Sequence, residues 1–214
     1  MAVGLTYSGV HAATEDREAI VAVLAQTLAP GGYRLRESEA LPAGAAVNRF
    51  LLSPPLNGWT TVLPSNDLDS REYVWAETIS SIGSAALWLY LYDSSFLMYR
   101  FYRSGHLVDR YHSASSEKLA VGNPRVFRPF LVAGATVEDL DRVLRPDPND
   151  ALPIEERYRA MARLLGIQTA ETSYALAENA PVTLPGGRRS WNVVEFWYAG
   201  APPPTPAADA TERT

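Results

Sequence analysis

The chain has 214 residues, 47% of them hydrophobic, so it can build one sizeable core, and its formal charge of −5 argues against a general binder of phosphate backbones. The absence of cysteine rules out disulfide frameworks, thiol nucleophiles and cysteine-ligated metals. No segment reaches the roughly 18 to 20 apolar residues that a helix needs to cross a bilayer, and no basic region leads an apolar run at the N-terminus, so the expectation is a cytoplasmic protein that does not enter membranes.

In chain order, the first helix is expected from Glu15 to Leu28. Thr14 is placed to cap it, Glu15 and Asp16 complement the positive end of the dipole, and Ile20, Val21, Leu24 and Leu28 form its buried stripe. Pro30, Gly31 and Gly32 end it. A weak strand and a loop follow to Ala46, and then VNRFLLS and GWTTVLP read as two strands separated by prolines and an Asn57-Gly58 turn. The capping-box spacing of Asp69 and Glu72 predicts a second helix reaching about Ser81, with Tyr73, Ala76 and Ile79 on one side.

Residues 85–112 carry the strongest signal: AALWLYLY, FLMYRFYR and HLVDRYH read as a three-stranded antiparallel meander. Leu87, Leu89 and Leu91 face one way, and Trp88, Tyr90 and Tyr92 the other. A three-residue DSS loop pairs Tyr92 with Phe96. A two-residue Ser104-Gly105 turn sets Arg103 opposite His106, Tyr102 opposite Leu107, Arg100 opposite Asp109 and Met98 opposite Tyr111. Both faces carry large side chains, so both need covers: the chain's own helices, or a partner on one side.

Residues 113–135 read as an extended loop with one short strand. Thr136 is placed to cap a helix through Leu144. After the RPDPNDALP linker a second helix runs from Pro153 to Leu165 and stops at Gly166, with Tyr158, Met161, Leu164 and Leu165 as its core stripe. A short helix at 170–178, a tight turn at Gly186-Gly187 with Arg188 and Arg189, and a strand from Trp191 to Tyr198 complete the pattern. The fold class is therefore α+β, a mainly antiparallel sheet packed by several helices. Residues 1–200 form one domain in which the part from about 136 is a candidate helical subdomain, and the Pro- and Ala-rich residues 201–214 are expected to be flexible.

Chemistry is harder to place. No GxSxG, HExxH, P-loop or GxGxxG pattern occurs, and no cofactor is implied. His106 and His112 lie about 20 Å apart along a strand at ~3.3 Å per residue, too far to share one metal. The acidic groups Asn66, Asp67, Asp69, Glu72 and Asp147, Asn149, Asp150 lack EF-hand spacing and read as a cap and a turn. The best candidate binding residues lie on the meander: Trp88, Tyr90 and Tyr102 as rings, with Arg100, Asp109, Arg110 and His112 as the polar cluster. RNA stacking on those rings is disfavoured by the charge and by the missing RNP motif.

The expected function is a non-enzymatic protein-interaction domain of the adaptor or toxin-neutralising (immunity-like) kind, with a protein partner and a homo-oligomer admissible. The competing expectation is a small-molecule-binding protein or enzyme whose pocket lies between the sheet and the C-terminal helices, with Arg100, Asp109, Arg110 and Glu195 as its polar groups.

Overall fold

The structure is a computed structural model and describes residues 6–36, 45–65, 72–82, 85–114, 121–147, 149, 152–168, 182–184, 187–189 and 191–198. An eight-stranded sheet forms its centre, built from β1 (Tyr7–Ala12), β2 (Tyr33–Leu35), β3 (Val47–Leu52), β4 (Thr60–Pro64), β5 (Ala85–Tyr92), β6 (Phe96–Arg103), β7 (His106–His112) and β10 (Asn192–Tyr198). Their order is β2-β10-β3-β4-β1-β5-β6-β7, and every neighbouring pair is antiparallel. A separate hairpin joins β8 (Val182–Leu184) to β9 (Gly187–Arg189). Gly187, Arg188 and Arg189 therefore lie in a strand rather than in the expected turn. The 170–178 helix and the 201–214 tail lie outside the described residues.

Helices pack on both faces of the sheet. On one side, α1 (Arg17–Leu28) and α2 (Tyr73–Ser80) bury Ile20, Leu24, Ala76 and Ile79 against Val10, Val62, Phe50, Trp88, Tyr102 and Phe196. On the other, a 3-10 turn (Pro124–Phe130), α3 (Val137–Leu144) and α4 (Ile154–Leu165) bury Phe127, Leu140, Tyr158, Met161 and Leu165 against Leu87, Leu89, Leu91, Tyr99 and Phe101. The leucine and aromatic parities of β5 thus feed two different cores, each large side chain contributing roughly 1.5 to 3 kcal/mol on burial. The second face is covered by the chain's own α1 and α2 over Trp88 and Tyr102, which are 5% and 2% exposed.

Local chemistry explains most helix boundaries. α1 starts later than expected because Asp16, not Thr14, is the cap: its Oδ1 accepts from Ala19 N at 2.9 Å, while Thr14 Oγ1 accepts from Asp16 N. Val23 rather than Val21 completes the buried stripe. Thr136 caps α3 as expected and closes a full capping box, with Asp139 Oδ2 accepting from Thr136 N at 2.9 Å. Those bonds hold the Asp139 carboxyl below its usual value. α4 ends at Gly166, whose φ of +64° and close approach to Asn57 and Val132 leave no room for a side chain. Leu164 is half-buried while Tyr158, Met161 and Leu165 are enclosed.

The meander follows the expected strands and its first register, Tyr92 with Phe96. Its second hairpin begins as expected, with Arg103 opposite His106 and Tyr102 opposite Leu107, and then a bulge shifts it by one residue. Beyond the bulge Arg100 faces Arg110, Phe101 faces Asp109 and Met98 faces His112. The Arg100–Asp109 ion pair expected from the uninterrupted register is therefore absent. Asp109 lies on the opposite face, accepting from Tyr99 Oη at 2.7 Å and Asn123 N at 2.8 Å.

Two features have no counterpart in the sequence reading. β1 is a central strand, flanked by β4 and β5. It carries His11, fully buried, with Nδ1 2.9 Å from Thr61 Oγ1 and Nε2 without a hydrogen-bond partner. Burial pulls the His11 pKa down to about 3.

Candidate functional site

The α1/α2 face of β5, β6 and β7 carries a continuous row of rings. Trp88 stacks on Tyr90 with centroids 5.3 Å apart and planes 14° apart, and Tyr90 meets Tyr92 at 6.1 Å. Tyr92 stacks on Phe96 at 5.0 Å, and Phe96 on His112 at 5.0 Å. The row follows from strand geometry: alternate positions of β5 share a face, and the register places Tyr92 opposite Phe96 and Met98 opposite His112. Ring pairs of this geometry contribute about 0.5 to 1.5 kcal/mol each beyond area burial.

Exposure rises from Trp88 to Tyr92 and falls again beyond it. Trp88 is covered by Tyr73 of α2, which meets it edge-on at 5.9 Å. Tyr90, Phe96 and His112 are half-buried, and Tyr92 is 45% exposed. At the buried end, Trp88 Nε1 donates to Ser8 Oγ at 3.1 Å, and Ser8 Oγ donates to the buried carboxylate of Glu72. Glu72 is thus a tertiary partner of β1, α2 starts beside it with no side-chain cap, and Asp69, the other half of the expected capping box, lies outside the described residues. Burial first, then Tyr92 and Glu72, push the Tyr90 hydroxyl up.

Of the seven residues singled out by sequence, Trp88, Tyr90, Arg100, Tyr102, Arg110 and His112 share this face, and Asp109 does not. Trp88 and Tyr102 are enclosed beneath α2, so neither offers a free surface. Arg100 lies over the Tyr73 ring, 3.8 Å from its centroid, and its cross-strand neighbour is Arg110. His112 Nδ1 accepts from Ala114 N at 3.1 Å. Tyr92 and Phe96 are the contact residues that sequence reasoning left out, although the Tyr92–Phe96 pairing it derived was the signal for them. Beside the row, edge strand β7 exposes Leu107 and Val108 at 47% and 44%.

The polar set named for a pocket between sheet and helices does not converge. Arg100 and Arg110 lie on one face and Asp109 on the other. Glu195 sits on β10 at the far side of the sheet, held by Arg36 and by Arg49 Nε at 2.8 Å, which keep its carboxyl below its usual value. Asp147 accepts from Asn149 N at 2.8 Å and closes a turn, while the Asp67 and Asp69 segment lies outside the described residues. Among the described residues no group of three His, Cys, Asp or Glu could hold a metal, and no helix is long and apolar enough to cross a membrane.

No family model, curated protein or solved structure matches the chain.

Proposed function

We propose that the chain is a protein-interaction domain of the adaptor or toxin-neutralising kind that docks its partner on the ring row at the β5–β6 hairpin end. The observation that carries this reading is the continuity of Tyr90, Tyr92, Phe96 and His112 across three strands, anchored at one end by the enclosed Trp88 and open at Tyr92. Stacked rings present large area at low conformational cost, the property that enriches aromatics in interface cores. Arg100 and Arg110 on the same face favour a partner whose apolar segment is flanked by a carboxylate.

The test compares wild-type chain with Tyr92→Ser and Phe96→Ser in capture from native lysate, followed by footprinting of the captured complex. The expected result is one defined partner retained by wild type, lost by both variants, and protecting Tyr92 and Phe96. Capture that is equal in all three proteins, or protection confined to another face, refutes the assignment.

A further inference from the structure

Between α3 and α4 lies a surface cleft of about 630 Å³, within the range of small-molecule sites, and its floor is a cation without an anion. Arg157 is 6% exposed. Its Nε donates to Val143 O at 2.8 Å, and its Nη2 donates to Leu144 O at 2.8 Å and to Tyr111 Oη. Every one of those acceptors is neutral. Nη1 makes no hydrogen bond among the described residues, and Arg157 lines the cleft.

Among the described residues, no carboxylate pairs with Arg157 or with Arg163 at the cleft's rim. The C-terminal end of α3 supplies about half a negative charge to Arg157, which leaves the rest without a protein anion among the described residues. The two acids lining the cleft are engaged locally: Asp139 by Thr136 and Arg142, Asp147 by Asn149. The walls are apolar, formed by Val143, Leu152 and Leu164.

We propose that this cleft binds a small organic carboxylate with a short apolar body, the charge resting on Arg157 Nη1 and Arg163 and the body against Val143, Leu152 and Leu164. A planar carboxylate matches the edge of a guanidinium, and apolar walls favour an anion that brings its own hydrocarbon over a fully hydrated inorganic one. The site is separate from the ring row and independent of the function assigned to it.

The test is calorimetric titration of the full chain at low salt with hexanoate, with 1-hexanol as the body without the charge, and with inorganic phosphate as the charge without the body. Saturable 1:1 binding of hexanoate is expected, with hexanol and phosphate each at least about tenfold weaker. Arg163→Gln weakens hexanoate about tenfold, and Leu152→Asp abolishes its binding. Both side chains are exposed, so both variants keep the wild-type Tm. Tyr92→Ser leaves the affinity unchanged. The proposal is overturned by absence of saturable hexanoate binding, by hexanol or phosphate matching it, by wild-type affinity in either cleft variant, or by loss in Tyr92→Ser.

Discussion

Acid should begin to destabilise this protein through His11 before most carboxylates are protonated. The side chain is wholly enclosed between β4 and β5, with its pKa pulled to about 3 from 6.5 by burial. In the unfolded chain the imidazole takes a proton near its ordinary value, whereas in the folded chain it stays neutral. The stability it contributes is therefore complete above pH 6.5 and is lost as pH falls from there towards 3. At 1.36 kcal/mol per unit, the loss is about 2 kcal/mol by pH 5 and approaches about 5 kcal/mol at the bottom of the window. A domain holds about 5 to 15 kcal/mol in all, so this one residue weighs heavily. Urea unfolding of wild type and His11→Leu at pH 7 and pH 5 isolates the effect, because the carboxylate contributions are common to both. The wild type should lose about 2 kcal/mol more than the variant over that interval. Parallel losses refute the reasoning, as does a carbon shift of the wild-type His11 ring showing protonation above pH 5 in the folded state, which is measurable even where the variant does not fold.

Four further outcomes follow from the packing. Gly122→Ala places a Cβ 2.5 Å from Tyr99 Oη at a φ of +72°, and should cost roughly 1 to 3 kcal/mol in denaturant unfolding while disturbing the Tyr99–Asp109 bond. Tyr111→Phe removes the hydroxyl that donates to Leu144 O and accepts from Arg157, for a loss of about 1 to 2 kcal/mol by the same measurement. Arg157→Met removes the donor of Val143 O and one of the two donors of Leu144 O at the end of α3 and should cost about 2 to 4 kcal/mol, with Arg157→Lys recovering only part of it in the thermal midpoint. Tyr92→Ser removes two ring contacts, to Tyr90 and Phe96, and should cost about 1 to 3 kcal/mol in denaturant unfolding, so partner capture is compared where the variant is still fully folded.

The meander was legible because period-two alternation and turn residues agree over residues 85–112, and Tyr92–Phe96 followed from loop length alone. The bulge between Phe101 and Tyr102 was not, because no residue there announces it. Val108 is an ordinary strand former, and the shift is favoured by long-range bonds of Asp109 to Tyr99 and Asn123. β1 escaped notice because Ser8, Gly9 and Ala12 carry little strand propensity. Its place between two strands makes small residues useful: a Cβ at Gly9 would lie 3.3 Å from Leu63 Cδ2 and 3.4 Å from His11 Nε2. Three of the five rings in the row were visible as Trp88, Tyr90 and His112, but its continuity depends on registers across three strands. Glu72 stood at capping-box spacing from Asp69, while Ser8, which donates to it, lies 64 positions away.

The placement of β10 governs when this molecule can assemble. Among the described residues β2 touches the rest of the sheet only through β10, and β10 also covers the outer edge of β3, yet it is synthesised after almost everything else described. During translation β3 waits with a bare flank while β2 lacks its described partner, and pairing between segments so far apart in sequence is slow. A ribosome-stalled or truncated product ending before Asn192 would thus display a sticky border along β3 and be a natural substrate for chaperones and proteases.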